Sequence, residues 1–179
     1  MKTLALLVFP LAVLVGAVGC TDSSLLDGLG SIFAAQPLTQ AEEDGLLFMR
    51  EEEKLARDVY LYLDGLYGSF IFANIADSEQ THMDAVLALL VRYGLEDPAA
   101  GKAAGEFTDQ TLQALYDQLI VQGSESLEAA YGVGVLIEET DIVDLESHLE
   151  HVEHSDIRNV YESLLQGSQN HLASFQSYL

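Results

Sequence analysis

Hydrophobic residues recur along this chain at alternating steps of three and four, the spacing of a helix face that packs against other helices. Four such seams can be followed. The first runs Leu46, Met49, Glu53, Ala56, Tyr60, Leu63, Tyr67. The second runs Phe72, Ile75, Glu79, His82, Val86, Leu89, Tyr93. The third is Leu127, Tyr131, Gly134, Glu138, Asp141, Leu145, His148, Val152, and the fourth Ile157, Tyr161, Leu164, Ser168, His171, Phe175, Tyr178. No proline interrupts them and no period-two alternation competes with them, so the chain is predicted to be all-α.

Local signals bound these helices. Thr39 and Glu42 form a capping box at the start of the first, and Gly65 and Gly68 mark its end. The second starts near Ser69 and stops at Tyr93, before Gly94. Residues 95–105, with Pro98, Gly101 and Gly105, read as a loop. A short amphipathic helix follows from Asp109 to Gln122, with Leu112, Leu115, Tyr116 and Leu119 on one side. The third long helix runs from residues 124–126 to about Val152, and Ser155 is expected to cap the fourth, with Asp156 in its first turn. The first and second long helices are joined by a short link, as are the third and fourth. The second and third are joined by a long one. The expected architecture is a four-helix bundle with one long crossover carrying an extra short helix.

Composition adds a leader and a field. Residues 1–20 hold Lys2, an apolar run and Ala17-Val18-Gly19-Cys20, which looks like a bacterial lipobox. Cys20 is the lipidation candidate and, as the only cysteine, leaves no intrachain disulfide. Residues 21–37, rich in Gly, Ser and Ala, read as a tether, and 38–179 as the domain. Thr21 after the anchor resembles outer-membrane lipoproteins and places the domain in the cell envelope, facing the periplasm. The formal charge of −22 repels nucleic acid and anionic headgroups and concentrates cations.

The chemistry lies in the defects of the seams. Each long helix puts polar residues where packing asks for apolar ones: Glu53, Glu79 with His82, Glu138 with Asp141, and Ser168 with His171. A carboxylate inside a bundle is costly unless it is protonated, paired or bound to metal. Glu53, Glu79, His82, Glu138, Asp141 and His171 together suit hard-to-borderline divalent ions, and four acids balance two such ions. Alternatives remain at two positions. Glu53 could pair with Arg57, or yield its place to Glu52 on the adjoining stripe, and Glu139 or Asp144 could replace Asp141. Tyr60 is expected in the core with its hydroxyl on a site carboxylate, and is the candidate for a redox role. His148, His151 and His154 read as a solvated helix end rather than a second site.

Glu53-Lys-Leu-Ala-Arg-Asp-Val-Tyr60, Glu79-Gln-Thr-His82 and Glu138-Glu-Thr-Asp141 resemble signatures of the ferritin-like superfamily, above all the rubrerythrin-like di-iron carboxylate proteins. Residues 51–60, 137–142 and 167–172 are similar to recurring segments of an uncharacterised bacterial branch of it. The resemblance implies a ferritin-like bundle with a dinuclear centre, iron or another divalent metal such as Mn or Zn. It also implies oxidation of Fe(II) or reduction of oxygen or peroxide. Glu53, Glu79 and Glu138 would then bridge or bind the ions, His82 and His171 would each cap one, and Asp141 would shift with oxidation state. One departure stands out: Ser168 occupies the position of a carboxylate in the fourth helix. Metal ions, the membrane through the anchor and a second copy in a homodimer are the expected partners. The competing readings are a metal-free structural or adaptor module at the membrane surface, and a metal store without turnover.

Overall fold

A computed structural model of the chain describes residues 37–179. The leader, Cys20 and all of the tether except Pro37 lie outside the described residues. Residues Leu38–Leu179 pack as one compact unit, built from α1 (Gln40–Tyr67), α2 (Phe70–Tyr93), α3 (Gln110–Gly123), α4 (Leu127–Leu149) and α5 (Ser155–Gln176). Among the described residues there is no strand. The most extensive interfaces join α1 to α2 and α4 to α5. Contacts between α2 and α5 and between α1 and α4 complete the bundle, and α3 lies against α1 and α4.

The seams face inward as their spacing requires, and they divide the core in two. One apolar cluster collects Leu55, Ala56, Val59, Tyr60 and Leu63 of α1, Phe72 and Ile75 of α2, Val133 and Ile137 of α4 and Phe175 of α5. The other collects Leu46 and Met49, Val86 and Leu89, Leu145, and Ile157, Tyr161 and Leu164. On every long helix the polar seam residues fall between the two clusters. The apolar ends fix helix register, and register brings the mid-seam side chains to one level of the bundle.

Helix α1 is covered on more than one side. Every residue from Arg50 to Ala56 is buried, because the segment between α2 and α3 crosses its outer face. Arg50 pairs with Asp97 at 3.0 Å and donates to the Met83 carbonyl. Lys54 donates to Asp58 and to the Ala103 carbonyl. Glu51 accepts the backbone N–H groups of Thr108 and Asp109. Each buried charge on that face has a polar partner, as burial demands.

The helix ends differ from expectation in three places. Helix α1 passes through Gly65 and stops at Gly68, whose φ of 63° is left-handed and suits a residue without a side chain. Helix α4 ends at Leu149, short of Val152. The cap position of α5 is His154, not Ser155. Here Glu42 of α1 does what a capping hydroxyl would do: its Oε1 accepts the backbone N–H groups of Glu153 and His154, both at 2.8 Å. The same carboxylate completes the capping box with Thr39.

Candidate metal centre

The mid-seam residues come from four helices and are all buried: Glu53 and Glu138 are 1 % exposed, Glu79 2 %, Asp141 6 %, His171 8 % and His82 9 %. They converge in two donor groups, Glu53–Glu79–His82 and Glu79–Glu138–His171, in each of which one ligand-capable atom per residue lies within 4.8 Å of the others. Glu79 belongs to both. Its Oε2 is 2.8 Å from His82 Nδ1, and its Oε1 is 2.8 Å from His171 Nδ1. His82 Nδ1 also lies 3.1 Å from Glu53 Oε2, and His171 Nδ1 3.5 Å from Glu138 Oε2. The Glu79-x-x-His82 spacing places both side chains on one face of α2, one turn apart.

Only part of this closeness is hydrogen bonding: His82 Nδ1 is bonded to Glu53 Oε2. Glu79 Oε1 and His171 Nδ1 are both without a hydrogen-bond partner although they face each other. Glu53 Oε1, Asp141 Oδ1 and Glu52 Oε2 are also unpartnered. Of the buried side-chain atoms in this condition among the described residues, only the Tyr161 hydroxyl lies outside this polar layer. Buried polar atoms are nearly always partnered, so a cluster of exceptions needs a cause. Ligands on one metal at bond lengths of about 2.1 Å and right angles stand about 3 Å apart, which is the spacing seen here. Two imidazoles and several carboxylates are also a donor set that Fe, Mn and Zn accept.

Each donor is held by a second contact. His171 Nε2 lies 3.0 Å from Ser78 Oγ. When Nε2 carries the proton toward Ser78, Nδ1 presents a lone pair to the acids. Tyr60 donates from its hydroxyl to Glu138 Oε1 at 2.6 Å, and burial, then the Glu138 and Glu79 charges, push that phenol well above its usual range. The His82 and His171 rings stack at 5.5 Å.

Without metal, the charges of this layer compete. Burial pushes Glu79 up, but His171 and His82 override it and hold it at about 2. Burial opposes charge on His82, yet Glu53 and Glu79 raise it to about 11. His171 is raised to about 9 by Glu138 and Glu79 against the same burial. Burial raises Glu138 to about 8, and carries Glu53 well above the carboxylate range with help from Asp141.

Not every expected ligand joins the two groups. Asp141 stands beside them and accepts the Ser168 hydroxyl. Burial lifts it to about 7, against that hydrogen bond. Arg57 pairs with Asp58 and Gln80 rather than with Glu53. Glu52 is buried as well as Glu53, so the two are not alternatives, and its strongest anionic neighbours are Asp141 and Asp144. His148, His151 and His154 do not converge. His154 lies 2.8 Å from Glu42, His148 packs against Phe48 and Tyr161, and His151 is exposed. The first two are engaged, where a solvated helix end was expected.

The comparisons agree on one kinship. The chain is 47 % identical over 140 residues to the uncharacterized protein MJ0754 of Methanocaldococcus jannaschii, covering 78 % of this chain and 76 % of that one. The crystal structure of MJ0754, described as a hypothetical protein, superposes with a TM-score of 0.78 at 46 % identity, covering 80 % of this chain and 82 % of the other. Residues 42–179 match the model of an uncharacterized protein domain, DUF2202, and that span takes in every residue of the centre: the chain belongs to the DUF2202 family.

Proposed function

We propose that this domain is a ferritin-like four-helix bundle with a long crossover, and that it holds two divalent metal ions, iron foremost, in a carboxylate–imidazole centre. The observation that carries the reading is Glu79, whose two oxygens each face a different imidazole at 2.8 Å. A carboxylate so placed can bridge two ions. Glu53 and His82 complete one donor group, Glu138 and His171 the other. The unpartnered Glu53 Oε1, Glu79 Oε1 and His171 Nδ1 suit the metal reading better than an acid–imidazole network that satisfies itself.

Bound iron would supply redox chemistry, the oxidation of Fe(II) coupled to reduction of oxygen or peroxide. The chain's own residues prepare the site for it. Tyr60 keeps its phenolic proton and donates it to Glu138 Oε1, which orients that carboxylate within the donor set. Ser78 orients the His171 ring. The two apolar clusters above and below the polar layer keep bulk water from the acids, which strengthens their hold on a cation. The leader and Cys20 support a lipid-anchored place in the cell envelope, where the acidic domain gathers cations from its surroundings.

Anaerobic titration of the purified domain with Fe(II), followed by metal analysis after desalting, tests the reading. Uptake of about two equivalents is expected, falling by half or more in His82→Ala and in His171→Ala. No uptake by the unaltered protein, with a melting temperature indifferent to metal and chelator, would leave the metal-free module as the reading.

A further inference from the structure

The centre is sealed unevenly. The side chains of Glu53, Glu79 and Glu138 are 1 %, 2 % and 2 % exposed, but those of His82 and His171 are each 11 % exposed. Both imidazoles belong to the seam between α2 and α5, which meet far less closely than α1 with α2 or α4 with α5. The other sides are closed. Tyr60 of α1 is bonded to Glu138 of α4, Arg57 ties α1 to Gln80 of α2, and Ser168 ties α5 to Asp141 of α4.

The register of the open seam can be followed pair by pair. His82 faces Gly167, and one turn on Ser78 faces His171. One turn further Asn74 and Ser174 line a surface pocket of about 340 Å³, which continues to Phe70 and Tyr178. No residue lining that pocket is charged, and neither is Ser78 or Gly167, in a chain whose formal charge is −22.

We propose that this seam is the mouth of the centre, through which a small uncharged oxidant, of the size of dioxygen or hydrogen peroxide, reaches the donor groups past Ser78 and the imidazole edges. The proposal rests on the dinuclear reading and adds the side from which a reactant arrives. Only the edges of two stacked rings are accessible there, so the passage suits a molecule of a few atoms. The acidic field of the protein repels an anion, and an uncharged molecule meets no such barrier.

Nitric oxide, an uncharged diatomic, probes the route when mixed anaerobically with the Fe(II)-loaded domain and followed by the absorption of the iron–nitrosyl. Asn74 and Ser174 are exposed and lie outside the donor groups. Asn74→Trp and Ser174→Trp should keep the unaltered iron content and slow nitric oxide binding severalfold. Leu136→Trp, beside the small cavity between α1, α3 and α4, should leave the rate unchanged. Raising the ionic strength, which screens the protein's charge, should speed the binding of azide and not that of nitric oxide. Unaltered rates in both seam variants, slowing by Leu136→Trp instead, or azide binding indifferent to salt would overturn the proposal and leave the dinuclear reading intact. A protein that takes up no Fe(II) would overturn both.

Discussion

Gly167 and His82 occupy touching positions on α5 and α2: a Cβ at Gly167 would lie 2.5 Å from both Cε1 and Nε2 of the His82 ring. The glycine sits in the middle of a helix, where alanine would ordinarily favour folding by about 1 kcal/mol. Its absence of a side chain gives the imidazole room to turn Nδ1 toward Glu53 and Glu79.

Gly167→Ala is therefore expected to act on the His82 ring first. The ring must leave its place, and metal affinity should fall about 10- to 100-fold, as when a ligand loses its orienting contacts. Metal-free stability should fall as well, because the displaced ring gives up its contacts with Glu53 and Glu79, offset by about 1 kcal/mol from the helix preference of alanine. Urea unfolding with chelator and with Fe(II) checks both halves. A variant that loses stability but keeps full affinity would show that the close approach serves packing alone.

Ser168 sits at mid-seam of α5, and its hydroxyl is committed to Asp141 and to the Leu164 carbonyl. Ser168→Ala would leave both oxygens of Asp141 without a donor in a buried place. The expected cost to the metal-free protein is about 1–3 kcal/mol, measured as a lower urea midpoint at neutral pH. With Asp141 outside the two donor groups, uptake of the ions they hold should survive the change.

The seams were readable because their signal is local. Periods of three and four over seven or eight positions placed Glu53, Glu79, His82, Glu138 and His171 on inward faces, and those five are the residues that the bundle brings together. Asp141 shares the inward face of α4, but whether it meets the other donors depends on Ser168, 27 residues away. Glu52 lies off the main α1 seam, and its burial depends on helices packed around α1, so periodicity within α1 could offer it only as an alternative to Glu53. Arg50, Glu51, Lys54 and Asp58 lie off the α1 seam, and their burial follows from residues 94–109, which cross over them. The cap of α5 was misplaced for a similar reason: its acceptor is Glu42, 112 residues before His154.

That distant cap carries a dependence on acid. Burial alone would raise Glu42, but the backbone N–H groups of Thr39, His154 and Glu153 and the His154 ring bring it down to about 2. A carboxylate depressed on folding adds stability that is complete above its unfolded value of 4.5 and is lost as pH falls from there through about 2. Its full worth is at most about 3 kcal/mol. Glu42→Gln should be less stable than the unaltered chain at pH 7, and the gap should close below pH 4. Urea midpoints of the two proteins between pH 7 and pH 2.5 test this. A gap that stays constant with pH would assign the loss to geometry and not to charge.

The centre itself should make metal-free and metal-loaded protein respond to pH in opposite directions. In the metal-free chain, burial raises Glu138 from 4.5 to about 8 and Asp141 from 3.8 to about 7. Between the unfolded and folded values, the native state holds more protons than the unfolded one, so stability falls as pH rises from about 4.5 to 8. The raised values of His82, about 11, and His171, about 9, act in the same direction over a higher range. Their contribution is fully present below 6.5 and is lost as pH climbs from there through those folded values, which adds to the decline above pH 6.5. Metal reverses the balance, because each ion must displace the protons that the imidazoles and Glu138 hold, and binding strengthens as pH rises. Chelated protein is thus expected to melt higher at pH 5.5 than at pH 8, and Fe(II)- or Mn(II)-loaded protein to melt higher at pH 8, each under argon at fixed ionic strength. Binding should also release protons at pH 7, visible as acidification of a weakly buffered solution. Parallel pH profiles for the two forms, with no proton release, would mean that the cation sits somewhere other than among these acids and imidazoles.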